Sequence, residues 1–423
     1  MTQRDLAAWL SYLEQLDPNR IDYGLEKIQA VDALMALCQF SVPVITVAGT
    51  NGKGSSVALL EAAYQQQGYR TACYTSPHIL HFNERLRIAG KPIDELQLAQ
   101  AFNEVDARRN NVLLSYFEFT TLAMFYLINQ AQPDVVILEV GMGGRLDTVN
   151  LVDADVALIT NIDLDHQAWL GNTREAIGRE KAGIMRAQRP CVCGDQQVPQ
   201  SVLHTAQTLG AVLYLTARDF AVHTQDDGTW LWQGPTGMTI SFSPCPLGQE
   251  NAANVCMVVQ LLQQRLPVSR ENLRRALSGL RLAGRCQIIS QDPLVIVDVA
   301  HNPAAAHFLR QKLQHYPCSG KTLAVVAMLA DKAICETVAA LMPCVDVWYF
   351  AGLEEVPRGA SVTQTMEAVA NLDLYSAYQA PCLETVFAKA LASANSNDRV
   401  IVFGSFYTVM RIMRYTDSTL EMS

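Results

Sequence analysis

The chain has 423 residues, half of them apolar and 17% charged, and carries a net charge of −9. That length provides for two or three domains, each with its own core. The acidic balance argues against non-specific nucleic-acid binding, which needs a basic face to displace counterions, but leaves room for a local phosphate pocket.

The start, Met1-Thr2-Gln3-Arg4-Asp5, lacks the basic-then-apolar pattern of a secretion signal. No apolar run reaches the ~18 residues that span a bilayer. Thr121–Ile128 comes nearest and reads as a buried helix. A cytoplasmic protein is expected. The eleven cysteines are scattered, with only Cys191 and Cys193 close together, as befits reduced thiols packed as small hydrophobes.

The first forty or so residues read as amphipathic helices around an Asp17-Pro18-Asn19 turn. Strand-like segments follow at Val44–Ala48, Asp134–Val140, Asp155–Thr160 and Arg189–Cys193, several of them separated by helical patterns. That alternation predicts a mostly parallel, doubly covered sheet. Residues 219–242 alternate around Asp226-Asp227-Gly228 and carry Trp230 and Trp232, which predicts a small antiparallel ribbon. Helices are expected at 250–265 and 269–279. The pattern restarts near Gly279–Arg285, with strands at Pro293–Val299, Thr322–Met328, Val345–Phe350 and Arg399–Phe403. The expected fold is therefore α/β throughout: an N-terminal domain over 1–284 with a phosphate-loop sheet, and a smaller Rossmann-like domain over 285–423. A cleft between two such domains, at the C-terminal ends of their strands, is the expected ligand site.

The strongest chemical signal is Gly49-Thr50-Asn51-Gly52-Lys53-Gly54-Ser55, between an apolar strand and a helical segment. Such a turn points backbone N–H groups and a helix N-terminus at an anion. Lys53 adds a point charge for the outer phosphates, and the Ser55 hydroxyl suits Mg²⁺. The spacing is short: only Thr50 and Asn51 separate the first glycine from Gly52-Lys53, and Gly54 follows the lysine. Glu139 ends another buried strand and opens Gly141-Met142-Gly143-Gly144, with Arg145 offering a bidentate fork to an anion. Glu139 suits Mg²⁺, which prefers carboxylate, water and phosphate oxygens. His166 closes a third strand-end loop, Asn161-Ile162-Asp163-Leu164-Asp165-His166. Lys181, by composition alone, is a solvated helix lysine. In the second domain Asp298 ends a strand before Val299-Ala300-His301-Asn302-Pro303, and could accept a ribose hydroxyl or orient an amine; Asp and Asn are also ordinary turn and cap residues.

Together these segments resemble the folylpolyglutamate synthase/dihydrofolate synthase family, within the Mur-type amino-acid ligases. The likeness runs in order through Arg20–Glu26, Gly49–Ser55, Thr75–His78 with Phe82–Arg85, Tyr116–Phe119, Glu139–Asn150, Asp165-His166, Glu180–Ile184, Asn251–Asn254, Gly284-Arg285, Asp298–Pro303, Asp331-Lys332 and Gly404–Phe406. It implies ATP-dependent amide formation, in which a substrate carboxylate becomes an acyl phosphate and the amine of L-glutamate attacks it. Thr50, Asn51, Gly52, Lys53, Gly54 and Ser55, with Asn251, Arg285 and Asp298, then match ATP-contacting positions. Ser55 from the loop, with Ser76, Glu139 and His166 at matching positions, would hold Mg²⁺. Lys181 matches a lysine carbamylated in many relatives, so that its carboxylate serves a second Mg²⁺. Lys53, Lys181 and His301 are the catalytic candidates, and domain closure would keep water off the acyl phosphate.

Asp22, Tyr23, Gly24, Phe117, Glu118, Arg145, Leu146, Asp147 and Thr148 resemble substrate positions on the pterin side of bifunctional bacterial members. The implied substrates are dihydropteroate, tetrahydrofolates and L-glutamate, with neither nucleic acid nor membrane as partner, and a monomer is expected. A folylpolyglutamate synthase alone, another Mur-type or cyanophycin-type ligase, and a regulatory module that has lost ligase activity are the alternatives. The chain departs from the family at Ala283 and Cys286, where a proline and an aromatic are usual, at Ala333 for a common aspartate, and at Met142 for a leucine. None of these removes a group the chemistry needs.

Overall fold

A computed structural model describes residues 4–15, 24–235 and 237–421. The chain divides into two compact units, Met1–Leu280 and Arg281–Ser423.

The first unit is built on strands β1 (Val44–Ala48), β2 (Thr71–Tyr74), β3 (Leu86–Ile88), β4 (Lys91–Pro92), β5 (Val135–Glu139), β6 (Val156–Ile159), β7 (Pro190–Cys193) and β8 (Val212–Leu215). Among the described residues they form one sheet in the order β4-β3-β2-β5-β1-β6-β7-β8, parallel except where β3 meets β2 and β4. Every residue of β1, β5 and β6 is buried, as strands covered on both faces must be, which is why they are near-continuous apolar runs. The Thr121–Ile128 stretch lies inside the core helix Tyr116–Ala131. A capping box starts that helix: Ser115 N donates to Glu118 Oε2 at 2.6 Å, and Glu118 N to Ser115 Oγ at 3.4 Å. No described helix is long and apolar enough to cross a membrane, and all eleven cysteines are free thiols.

The expected ribbon is a three-stranded antiparallel sheet of β9 (Ala221–Thr224), β10 (Trp230–Gln233) and β11 (Thr239–Phe242). Trp232 is its buried anchor, level with Val222 and Ile240 on the flanking strands. The second unit carries β12 (Gln287–Gln291), β13 (Leu294–Asp298), β14 (Thr322–Val326), β15 (Val347–Ala351), β16 (Ser376–Ala380) and β17 (Arg399–Phe403), in the order β12-β13-β17-β14-β15-β16. Only the β12–β13 pair is antiparallel.

The strands that sequence pattern alone does not reveal are short or half-covered. β2 is only Thr-Ala-Cys-Tyr. β8 and β12 are edge strands with partly exposed residues, so one face is free of the demand for apolar side chains. The Asp17-Pro18-Asn19 turn lies outside the described residues.

In the first helix, Leu6–Glu14, Trp9 is 1% exposed and stacks on Phe119 at 5.5 Å, with Phe102 at 6.0 Å. Trp9→Ala should therefore lower stability by roughly 3–5 kcal/mol, seen as a shifted denaturant midpoint. A shift corresponding to less than about 1 kcal/mol would mean that this helix is not part of the cooperative core.

Candidate active site

The chain leaves β1 in the middle of the first sheet and enters the helix Lys53–Gln66 through Gly49–Gly52. Both glycines are needed for close approach. A Cβ on Gly49 would stand 1.8 Å from Thr160 Oγ1, and one on Gly52, where φ is +82°, 2.4 Å from Asn251 Oδ1. A second strand-end loop holds the turn in shape. Thr50 N donates to Asn161 O at 2.9 Å and Asn51 N to Asn161 Oδ1 at 2.8 Å. Thr160 Oγ1 donates to Asn51 O at 2.6 Å, and Asp163 N to Thr50 Oγ1 at 3.0 Å. The Lys53 ammonium lies against the loop itself, donating to Gly49 O at 3.0 Å and Thr50 O at 3.3 Å. Asn251, in the helix Gln249–Leu261, reaches the same turn, with its Oδ1 3.4 Å from Ser56 Oγ.

Sheet register sets the other predicted groups level with this loop. Glu139 is the last residue of β5, opposite Val47, and is 5% exposed. Ser76 follows β2, and its N–H donates to Glu139 Oε2 at 3.3 Å. Ser55 is 5% exposed in the first turn of the loop's helix. His166 has a left-handed backbone (φ +50°), and its N–H donates to Asp165 Oδ1 at 2.8 Å. Lys181 is not a solvated lysine: it is 2% exposed, near the end of the helix Arg174–Ala182. Burial, then the nearby charge of Lys53, push its pKa down to about 7 against the opposing pull of Asp165. Lys53, Lys181 and Asp165 thus share one electrostatic neighbourhood.

No group of three or more His, Cys, Asp or Glu among the described residues could by itself cage a metal ion. A lone buried carboxylate with serine hydroxyls and an imidazole at a phosphate loop does fit Mg²⁺, which keeps waters and takes phosphate oxygens as ligands.

On the segments expected to face the pterin, Phe117 stacks on Tyr74 at 6.4 Å and lies so close to Gly141 that a Cβ there would be 2.6 Å from its ring. Asp147, 7% exposed, closes the glycine loop by accepting from Met142 N and Val149 N, each at 3.0 Å. Burial raises its pKa to about 6, against its backbone donors and the charge of Lys53. Phe117, Asp147 and the phosphate loop are therefore neighbours. Two other predicted side chains are already engaged. Glu118 caps its own helix, and Arg145 is half-exposed and paired with Glu180, with Nη2 to Oε1 at 2.9 Å. Leu146 is partly buried, Thr148 is buried, and Gly24 stands just ahead of the helix Glu26–Met35. Asp22 and Tyr23 lie outside the described residues.

In the second unit Asp298 ends β13 and is held by two backbone donors, Cys286 N and Ala300 N, each at 2.8 Å. Burial raises its pKa, and the Arg285 charge opposes that. The Arg285 guanidinium lies over the Phe406 ring at 5.2 Å, and the His301 ring is 6.3 Å from the same phenyl. Because a carbonyl only accepts, the 2.9 Å contact of His301 Nδ1 with Val299 O places a proton on Nδ1. Asn302 caps the following helix Pro303–Leu313 by accepting from Ala305 N at 2.9 Å.

Sequence reasoning took only His166 from the third loop and overlooked Thr160, Asn161 and Asp163, which shape the phosphate turn. Their signal was available: polar residues crowd the first positions after a strand-like apolar segment, as they do in a glycine-rich turn. Phe406 was quoted only as part of a motif, since a lone aromatic carries no signal of its own.

A model of the Mur ligase middle domain matches residues 47–262, and one of the Mur ligase glutamate ligase domain matches 284–406. The dihydrofolate synthase/folylpolyglutamate synthase of Escherichia coli is 42% identical over 98% of this chain and 96% of its own length. The chain belongs to the dihydrofolate synthase/folylpolyglutamate synthase family of Mur ligases. Solved family members superpose closely. An E. coli FolC in complex with DHPP and ADP does so with a TM-score of 0.92, at 40% identity and with 98% of each chain covered. A bifunctional Yersinia pestis enzyme complexed with AMPPNP and a Mn ion gives 0.90 at 43% identity, again with 98% of each chain covered. The two-sheet first unit and the α/β second unit are the family fold, and the enzyme class is that of the ATP-dependent ligases.

Lys53→Ala removes the point charge from a loop whose other donors are backbone amides. Turnover should fall by roughly 10²–10³-fold or more with the thermal midpoint little changed. Steady-state rates near those of the unaltered enzyme would count against this loop as the phosphate site.

Proposed function

We propose that this protein adds L-glutamate to dihydropteroate, giving dihydrofolate, and extends the glutamate tail of reduced folates, using ATP and passing through an acyl phosphate. The observation that carries this reading is the convergence of the Gly49–Ser55 loop and Glu139 at adjoining strand ends, with buried Lys181 of the helix Arg174–Ala182 close to Lys53 and the Phe117–Asp147 pair beside them.

The loop amides and Lys53 hold the triphosphate, with Asn251, Arg285 and Asp298 as further ATP contacts. Ser55, Ser76, Glu139 and His166 hold Mg²⁺, which, when bound, neutralises charge on the transferring phosphoryl group. Residues 1–284 thereby bind ATP and folate, and 285–423 form the glutamate ligase domain. Lys181 acts as a carbamate. Its ammonium gives up a proton, the neutral amine adds to CO₂ as a C=O π bond opens onto oxygen, and a second proton leaves to solvent, so that a buried cation becomes a carboxylate suited to a second Mg²⁺. His301, whose Nδ1 is held by Val299 O, is the remaining catalytic candidate. Gly24, Phe117, Leu146, Asp147 and Thr148 form the pterin side. Glu118 and Arg145 support that side by holding its helix and loop.

Phosphate release from ATP should depend on L-glutamate together with an acceptor, and assays run in parallel with dihydropteroate and tetrahydrofolate separate two activities from one. Hydrolysis that ignores glutamate and yields no amide would sink the ligase reading.

A pterin presents N–H donors, so only the ionised Asp147 accepts from it fully. With its pKa pushed up to about 6, dihydropteroate affinity should fall as pH drops through that value, since protonation competes with binding. Asp147→Asn should bind weakly and lose this pH step. Persistence of the step in that variant would assign it to another group.

A further inference from the structure

Arg87 has no part in the groups described above, yet it is a buried charge at their edge. It stands on β3 opposite Cys73 of β2, with its side chain 19% exposed and that of Glu61 9% exposed. Its Nε and Nη2 reach Glu61 Oε2 at 2.8 and 2.7 Å, and its Nη1 donates to Thr75 Oγ1 at 3.4 Å. Glu61 belongs to the helix that Lys53 opens. Thr75 directly precedes Ser76, whose N–H donates to Glu139, and Thr75 N itself donates to Arg85 O at 2.8 Å. One guanidinium therefore connects the phosphate-loop helix to the segment carrying Ser76.

Burial opposes the Arg87 charge, but Glu61, Cys73 and Glu139 outweigh it, so its pKa is raised. Stability alone is a poor reason for such a pair, because desolvating two charges offsets most of their attraction. The planar fork supplies something a rotatable ammonium does not: donors fixed rigidly in direction, two toward Glu61 and one toward Thr75.

We infer that Arg87, anchored by Glu61, is a positioning residue that fixes Ser76 and Glu139 relative to Lys53–Ser55 and thereby sets the affinity of these strand ends for a divalent cation. The inference rests on the assignment of Ser76 and Glu139 to the metal in the proposed function. Mg²⁺-type sites demand near-ideal octahedral geometry, so a small displacement of either group matters.

Mn²⁺ binding to the full-length protein, followed by electron paramagnetic resonance with a non-hydrolysable ATP analogue present, tests this. Arg87→Met leaves Glu61 buried without its partner and can fail to fold. The double variant Arg87→Met/Glu61→Met removes both charges at similar volume and decides the matter in that event. Mn²⁺ affinity should fall about 10–100-fold in the double variant, while ADP affinity measured in EDTA stays within about twofold, because the loop amides and Lys53 are untouched. Arg87→Lys, which keeps the charge without the fork, should not recover the loss. Undiminished Mn²⁺ affinity in the double variant, or full recovery in Arg87→Lys, overturns the inference. Ser76→Ala and Glu139→Ala serve as the reference. If they too bind Mn²⁺ normally, the metal assignment itself falls; if they lose it while the Arg87 variants do not, only the positioning role falls.

Discussion

The phosphate turn has its shape because another loop is bonded into it. Backbone groups of Thr50 and Asn51 need partners inside the protein; Thr160 and Asn161 satisfy them over distances of 2.6 to 2.9 Å, and Asp163 N donates to the Thr50 hydroxyl at 3.0 Å. This ties the exit of β1 to the exit of β6, two strands already in register through Ala48 and Ile159. The amides aimed at an anion are thus fixed before any anion arrives, so little ordering has to accompany binding. The arrangement also explains the short spacing. With Gly49 against Thr160 and Gly52 against Asn251, a turn of this length leaves no room for a Cβ at either position.

Around that turn the fold keeps ionisable groups in places where their charge is costly. Lys181 is buried close to another lysine, Asp147 closes a loop from within the protein, and Arg87 with Glu61 lies under the strand ends. Each would lower stability if left alone. Asp147 is held by backbone donors and Arg87 by two acceptors on different elements. Lys181 has neither kind of compensation in full, and its pKa falls accordingly. Of the three, it is the one whose charge a covalent change or a ligand would most relieve, which is the physical argument behind the proposed carbamate.

The sequence made the architecture legible where strands are fully buried, because β1, β5, β6 and β17 have no solvent face and are apolar but for Thr46 and the terminal Glu139 and Arg399. It was opaque at edges such as β8 and β12, where half-exposed residues dilute the pattern. The candidate site divides in the same way. Lys53 and Glu139 were visible because glycines next to a charged residue at a strand end are rarely structural. The burial of Lys181 was invisible in an Ala/Gly-rich helical segment, since what covers it comes from distant parts of the chain. Glu118 shows the converse: a carboxylate quoted for a substrate acts as the fourth member of a capping box, a role its Ser115-x-x-Glu118 spacing had already announced.

The departure at Cys286 tests how far such local reading can be taken. In place of the aromatic expected from the resemblance, this chain has a smaller residue with a left-handed backbone (φ +42°). What the neighbouring Asp298 takes from position 286 is the backbone N–H at 2.8 Å, paired with that of Ala300 on the other carboxylate oxygen. A side-chain replacement leaves that donor in place. Nearby, Phe406 supplies the aromatic surface on which the Arg285 guanidinium rests. The carboxylate and the guanidinium therefore keep their supports although the residue between them has changed, because one support is main chain and the other comes from beyond the end of β17. A substitution here alters packing without removing a functional group, so long as the turn can still hold residue 286 in its left-handed conformation.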